Sequence, residues 1–194
     1  TAIANWTKRT DLTSYLDDII TIAEKRIERE VQTHDMEADL DVTINGTAGT
    51  ATIPTDFLSL RDAYVDVTGK PALVQASSDQ IRQSITLGSY RFGVPTKIAQ
   101  SGANFIFWPT PQTDYVIKGT YYARPGTLSS AVYTMFTNNP DLYLYAALAE
   151  TAPFLKDDKR IALWESQYQK VKRQIMEDDV GYRFGGRLQI TAGS

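Results

Sequence analysis

Apolar residues recur along this chain at two different periods, and the change of period divides it. From about Asp11 to about Asp35, Leu12, Leu16, Ile19, Ala23, Ile27 and Val31 follow one another at three- and four-residue steps, the spacing that lines one face of an α-helix. Thr10 or Asp11 is placed to cap it. Glu24, Lys25, Arg26, Glu28, Arg29 and Glu30 charge the other faces of its second half. The plain reading of those charges is a solvated helix surface; the sharper one is a surface that meets a neighbouring copy in an assembly.

From Leu40 to Arg124 the pattern becomes short runs punctuated by turn residues. Val42-Thr43-Ile44 leads into Asn45-Gly46, a type I′ hairpin signal, and then into Thr50-Ala51-Thr52-Ile53. A strand from Leu58 to Val67 ends at a turn, Thr68-Gly69-Lys70, and Ser77 and Gln80 are spaced as a capping box for a short helix before Ile81. A meander is expected next: Lys97–Gln100, a turn at Ser101-Gly102, Phe105–Trp108, a loop over Pro109–Thr113, and Tyr115–Tyr122. Turn signals this frequent predict an antiparallel sheet or small barrel.

The helical period returns in Asn139 to Ile175. Asn139 can cap a helix whose first turn holds Pro140 and Asp141, where a missing N–H costs nothing and a carboxylate meets the positive end of the helix dipole. Pro153 should end or kink that helix near Thr151–Ala152. A charged corner, Lys156-Asp157-Asp158-Lys159-Arg160, offers a carboxylate cap for a second helix striped by Ile161, Trp164, Tyr168, Val171 and Ile175. The glycine-rich tail from Val180 to Ser194 lacks the apolar surface to fold alone.

The expected architecture is α+β: a three-helix bundle made by the N-terminal helix and a C-terminal helical hairpin, an inserted antiparallel β-sheet or barrel module, and an extended C-terminal arm. The expected boundaries are residues 1–38 for the N-terminal helix, 39–128 for the β module, 129–177 for the hairpin and 178–194 for the arm.

Composition narrows the chemistry. The 194 residues are 42% hydrophobic and 22% charged, with a net charge of −3, so no global basic field grips nucleic acid or an anionic membrane. Cysteine is absent, which removes disulfides, thiolate nucleophiles and Cys-ligated metals. Thr1 to Thr10 has no apolar core of signal-peptide length, and no run approaches the ~20 apolar residues of a membrane span. Neither a targeting segment nor a span is expected.

No catalytic constellation assembles from the motifs. The single histidine, His34, sits beside Asp35 at a charged helix end, where a solvent-facing role is the default. Asp17/Asp18, Asp157/Asp158 and Asp178/Asp179 lie at helix faces, corners or ends, where capping and dipole effects account for them, while a hard-metal site needs several convergent oxygens. Catalytic, cofactor-binding and metal residues are therefore all expected to be none, and the protein is not expected to be an enzyme. Phe105, Phe107, Trp108, Tyr115, Tyr121 and Tyr122 crowd the meander. An exposed aromatic platform of that kind suits a sugar or a single-stranded nucleic acid, so a carbohydrate-binding or adhesin-like β module on a helical stalk is the alternative function. Packing in the sheet core is the default for these rings.

Several motifs in order carry a resemblance. Ile53-Pro54-Thr55-Asp56-Phe57-Leu58, Gly93-Val94-Pro95, Trp108-Pro109-Thr110-Pro111 and Tyr121-Tyr122-Ala123-Arg124-Pro125 precede the hairpin Pro140-Asp141-Leu142-Tyr143-Leu144-Tyr145-Ala146-Ala147-Leu148-Ala149-Glu150, Ala152–Asp158 and Trp164-x-x-x-Tyr168. Together they cover most of residues 10–175, and the chain resembles the head-to-tail adaptor (connector) proteins of short-tailed, podovirus-type bacteriophages. The resemblance implies a structural protein of the virion neck at the head–tail junction, assembled in the host bacterial cytoplasm. It implies a homo-oligomeric ring of twelve copies that binds the portal protein, extends the DNA channel and joins it to tail nozzle or tail fibre proteins. DNA would pass without specific binding, and no membrane partner is implied. The C-terminal arm, with Tyr182, Arg183, Arg187, Leu188 and Ile190, would dock on the portal, and Lys156, Asp157, Asp158 and Arg160 are candidate subunit contacts.

Overall fold

The computed structural model describes residues 2–8, 13–87, 92–125, 134–154 and 159–184. In chain order the elements are α1 (Ala2–Thr7), α2 (Leu16–Glu30), β1 (Glu37–Ile44), β2 (Thr50–Thr52), β3 (Phe57–Val65), β4 (Val74–Gln75), α3 (Ser78–Thr86), β5 (Lys97–Ser101), β6 (Asn104–Trp108), β7 (Tyr115–Ala123), α4 (Thr134–Asn138), α5 (Pro140–Ala149) and α6 (Arg160–Phe184). The class is α+β, with the strands paired antiparallel except for the parallel pair β4–β5. Two units divide the chain: a helical one from Thr1–Met36 and Pro125–Ser194, and a β-rich one from Glu37–Arg124.

In the helical unit the stripe on α2 is buried as the spacing predicts: Leu16, Ile19, Ala23 and Ile27 point inward, followed by Val31. The helix begins later than expected, at Leu16 after a 3₁₀ turn (Thr13–Tyr15), and Tyr15 at its N-cap makes no side-chain capping bond. The expected caps Thr10 and Asp11 lie outside the described residues. α5 does not have one inner face. Leu142, Tyr143 and Ala146 to Ala149 are all buried, and a helix apolar nearly all round has to lie inside. It packs against α6, α2, α1 and α4. Pro140 occupies its first turn as expected, but Asn139 makes no side-chain capping bond. The Leu142 N–H donates instead to Asp141 Oδ1 at 3.0 Å. Pro153 falls in the 3₁₀ turn Ala152–Phe154 just after α5 ends.

Trp164, Tyr168 and Val171 of α6 are buried, with Ile161 and Ile175 half-buried. The helix then continues to Phe184, so residues 178–184, expected in an extended arm, are helical. A glycine inside a helix costs about 1 kcal/mol relative to alanine, and Gly181 makes this stretch look like a tail. Asp179 and Tyr182, on either side of Gly181, both contact His34. α1, which the spacing of residues 1–10 did not predict, buries Ile3 and Thr7, and the Thr7 hydroxyl donates back to the Ile3 carbonyl at 2.9 Å.

In the β-rich unit the runs form strands, but they pair differently from a meander. One sheet has the order β1-β7-β3 and the other β2-β6-β5-β4. β5 and β6 form the expected hairpin, turning at Gly102 with φ +62. β7 then leaves β6 and pairs with β1, from Glu37↔Tyr122 to Ile44↔Tyr115, and with β3 on its other side. Asn45-Gly46 does not make a two-residue turn either. The Asn45 side chain accepts the N–H groups of Thr47 and Ala48, each at 2.9 Å, and an Asn45↔Thr50 bridge closes a longer loop. The positive φ falls on Gly49, at +67. That bridge joins β1 to β2. A Tyr64↔Ala72 bridge and the Leu73 N–H bond to the Ala63 carbonyl (2.8 Å) join β3 to the segment entering β4. The two sheets therefore approach a small barrel, filled by Leu40, Ile44, Val65, Ile98, Phe105 and Ile117 among others. α3 carries the expected capping box, with the Ser77 hydroxyl and Gln80 amide bonded reciprocally to the backbone.

Candidate functional site

The aromatic residues of the β-rich unit are largely used inside it. Phe105, Phe107, Tyr121 and Tyr122 are buried, and Trp108 and Tyr115 are half-buried. Phe57 meets Phe105 edge-on at 5.3 Å and stacks on Tyr121 at 5.6 Å. The Tyr121 hydroxyl donates to Asp56 Oδ1 at 2.9 Å. Burial and that carboxylate push the phenol up to about 12. A ring locked in this way is part of the core and is no sugar platform.

The charges on α2 divide into two populations. Asp17, Asp18, Lys25 and Arg29 are exposed, as a solvated surface predicts. Arg26 and Glu30 turn inward. Arg26 Nη1 donates to Glu165 Oε2 at 2.9 Å and to Glu150 Oε1 at 3.2 Å, its Nη2 donates to Glu165 Oε1 at 2.6 Å, and its Nε donates to Glu30 at 3.1 Å. The guanidinium lies 4.3 Å above the Tyr168 ring. Glu30 in turn accepts from the Tyr168 hydroxyl at 3.0 Å and from Lys172 Nζ at 2.8 Å. These residues stitch α2 to α5 and α6. Neither sequence reading of these two side chains holds, because their partners lie within the same unit.

The seam sets protonation as its geometry requires. The bond to Glu165, which outweighs burial, holds Arg26 above its ordinary value, and the same bond holds Glu165 below the carboxylate range. Burial pushes Glu30 upward, but the bonds from Lys172, Arg26 and Tyr168 together overcome it and keep its carboxyl below the usual range. Burial, reinforced by Glu30, raises the Tyr168 phenol.

A second polar cluster closes the far end of α6. The His34 backbone N–H donates to Asp179 Oδ1 at 2.7 Å, and His34 Nδ1 lies 2.9 Å from the same oxygen. A carboxylate oxygen only accepts, so Nδ1 carries the proton. Tyr182, one turn beyond Asp179, stacks on the imidazole with centroids 4.1 Å apart and planes 15° from parallel. His34 is thus engaged rather than simply facing solvent, and Asp179, only 6% exposed, continues the buried stripe of α6 as a carboxylate.

The candidate docking and contact residues fall partly outside this picture. Lys156, Asp157 and Asp158, together with Arg187, Leu188 and Ile190, lie outside the described residues. Arg160 opens α6, donating from Nη1 to the Trp6 carbonyl at 3.3 Å and lying 5.3 Å from the centre of the Trp164 ring. Tyr182 and Arg183 belong to α6. Among the described residues no group of three or more His, Cys, Asp or Glu side chains is placed to hold a metal ion, and no helix is long and apolar enough to cross a membrane.

What this architecture belongs to is decided by comparison with protein families. The profile described as SU10 adaptor protein matches residues 1–190. The chain belongs to the SU10 adaptor protein family. It is a phage adaptor protein, and the match spans both the helical and the β-rich unit. No curated protein matches it. For an SU10 adaptor protein the surfaces that matter are those offered to other virion proteins. The inward seam around Arg26 ties α2 to α5 and α6, and the His34–Asp179 cluster ties the segment after α2 to the end of α6.

Proposed function

We propose that this SU10 adaptor protein is a ring-forming head-to-tail adaptor in the neck of a short-tailed phage. The family match across residues 1–190 carries the reading. In this proposal about twelve copies form a closed ring, the commonest way for one repeated heterologous contact to terminate. The ring sits under the portal protein, extends the DNA channel and joins it to the tail nozzle or tail fibre proteins, after assembly in the bacterial cytoplasm. The net charge of −3 suits a conduit, because a basic lining would hold DNA through its phosphates.

The portal-docking arm is proposed to begin at the end of α6, with Tyr182 and Arg183, and to run on through Arg187, Leu188 and Ile190. The hairpin corner, Lys156 to Arg160, remains a proposed subunit contact. Cryo-electron microscopy of purified virions tests the placement: a ring of this protein between portal and nozzle is expected, and its absence from the virion would end the proposal. Deleting Gly185–Ser194 should leave the helical content and melting of the chain unchanged while abolishing its attachment to portal-bearing capsids. Undiminished attachment would remove the arm from the docking site.

A further inference from the structure

We propose that the outward faces of α2 and α6 are the two halves of one contact between copies, with Asp17, Asp18 and Ile22 of one copy seated on Lys170, Arg173 and Met176 of the next. This inference rests on the ring reading and names the surface that would build it.

The charge order carries the argument. Along α2 the exposed positions run acidic at Asp17 and Asp18, apolar at Ile22, then basic at Lys25, which already pairs with Glu28, and at Arg29. Along one face of α6 they run basic at Lys170 and Arg173, apolar at Met176 on its edge, then acidic at Glu177. The two sequences of sign are opposite when the helices run parallel. Turning one helix over sets like charges against like. Ile22 is 50% exposed and Met176 43% exposed, and Met176 lies with Arg173, Glu177 and Val180 along an open groove on α6. An aliphatic side chain entering that groove is flanked by charges of both signs.

Parallel packing is also what a ring allows. Within one copy α2 and α6 already run the same way, since Arg26 meets Glu165 and Glu30 meets Lys172. Neighbours in a twelve-membered ring differ by a rotation of about 30°, which keeps that sense. The inward charges Arg26, Glu30, Glu165 and Lys172 are committed to ion pairs inside the unit. Asp17, Asp18, Lys170, Arg173, Glu177 and Asp178 form no ion pair among the described residues and are left for another copy. The internal pairs are 139 and 142 residues apart. Setting Asp18 against Arg173 displaces the neighbour along the helix by about 14 residues, roughly 20 Å at 1.5 Å per residue, so the helices must run oblique to the ring axis.

The absence of cysteine makes the test direct. Full-length chain carrying Ile22→Cys and Met176→Cys is supplied to particles by complementation, oxidised and run on a non-reducing gel. A ladder of multimers is expected from the double variant, and none from either single variant. Separately, Asp17→Lys with Asp18→Lys should lower ring occupancy roughly tenfold or more, as like charges now face each other. Adding Lys170→Glu and Arg173→Glu should restore it. Particles that hold the ring yet give no ladder overturn the helix pairing alone, as does a charge reversal that leaves assembly intact or is not rescued. Particles without any ring overturn the adaptor reading together with it.

Discussion

Arg26 and Glu165 meet through two near-parallel hydrogen bonds, 2.9 Å from Nη1 to Oε2 and 2.6 Å from Nη2 to Oε1, across 139 residues of chain. The planar fork of a guanidinium matches the two oxygens of a carboxylate, which an ammonium cannot do. Removing one partner of a fully buried pair costs about 3–5 kcal/mol. Glu165 is 40% exposed on its side chain, so water screens part of the loss. Arg26→Ala is expected to destabilise the protein by about 2–3 kcal/mol, and Arg26→Lys by about half of that. Urea unfolding monitored by circular dichroism measures both, and a lysine variant as stable as the parent would show that the fork contributes nothing.

Acid should open the same seam. Glu30 and Glu165 titrate below the ordinary carboxylate value of 4.5 in the folded protein. As pH falls through that value the unfolded chain takes up protons first, so stability is full above it and declines below it. The urea midpoint is expected to be level from pH 7 to about pH 5 and to drop towards pH 3. The double variant Glu30→Gln, Glu165→Gln should start lower and show a shallower drop. An equal slope in parent and variant would assign the acid sensitivity to other carboxylates.

Most elements of this fold are legible in the sequence, and most of their partners are not. Leu16, Ile19, Ala23 and Ile27 declare a helix face because burial of that face is a local, periodic demand. Ser77 and Gln80 declare a cap for the same reason. Nothing local says that Tyr115–Ala123 passes over its neighbour β6 to lie between β1 and β3, since strand pairing is settled by which apolar faces close the barrel. Arg26 and Glu30 are indistinguishable in sequence from the solvated charges around them, because apart from each other their partners lie 124 to 142 residues away. Asp179 reads as a polar break in the stripe of α6. Only the fold shows that His34 fills the position opposite it.

Gly119 of β7 lies opposite Ala63 of β3, with no room for a side chain. A Cβ built there would overlap the Asp62 carbonyl oxygen and lie 2.7 Å from Ala63 Cα. Both obstacles are backbone, beside the irregularity in β3 between Leu60 and Asp62. Overpacking a well-filled core costs about 1–3 kcal/mol, occasionally more, and a clash with backbone has no side chain to move aside. Gly119→Ala should therefore destabilise by about 3 kcal/mol, whereas Gly102→Ala, which meets nothing, should cost about 1 kcal/mol for its positive φ alone. Thermal melts of the two variants compare them, and equal losses would show that β3 yields at its irregularity.

The His34–Asp179 contact should govern the end of α6 and little else. Asp179 is buried, and a buried carboxylate needs donors. Two donors on His34 compensate it, and Tyr182 holds the imidazole flat against the helix. His34→Ala keeps the backbone donor but strips the ring from a buried carboxylate, at an expected cost of about 1–3 kcal/mol. Tyr182→Ala, whose ring is 70% exposed, should cost about 0.5–1 kcal/mol. The loss should be local, because Trp164, Tyr168 and Val171 hold the rest of α6 independently. In His34→Ala, amide hydrogen exchange should quicken over residues 176–184 and stay unchanged over residues 164–171. Faster exchange along the whole helix would mean that the end of α6 unfolds together with its core, and unchanged exchange at 176–184 would mean that the cluster does not hold the helix end at all.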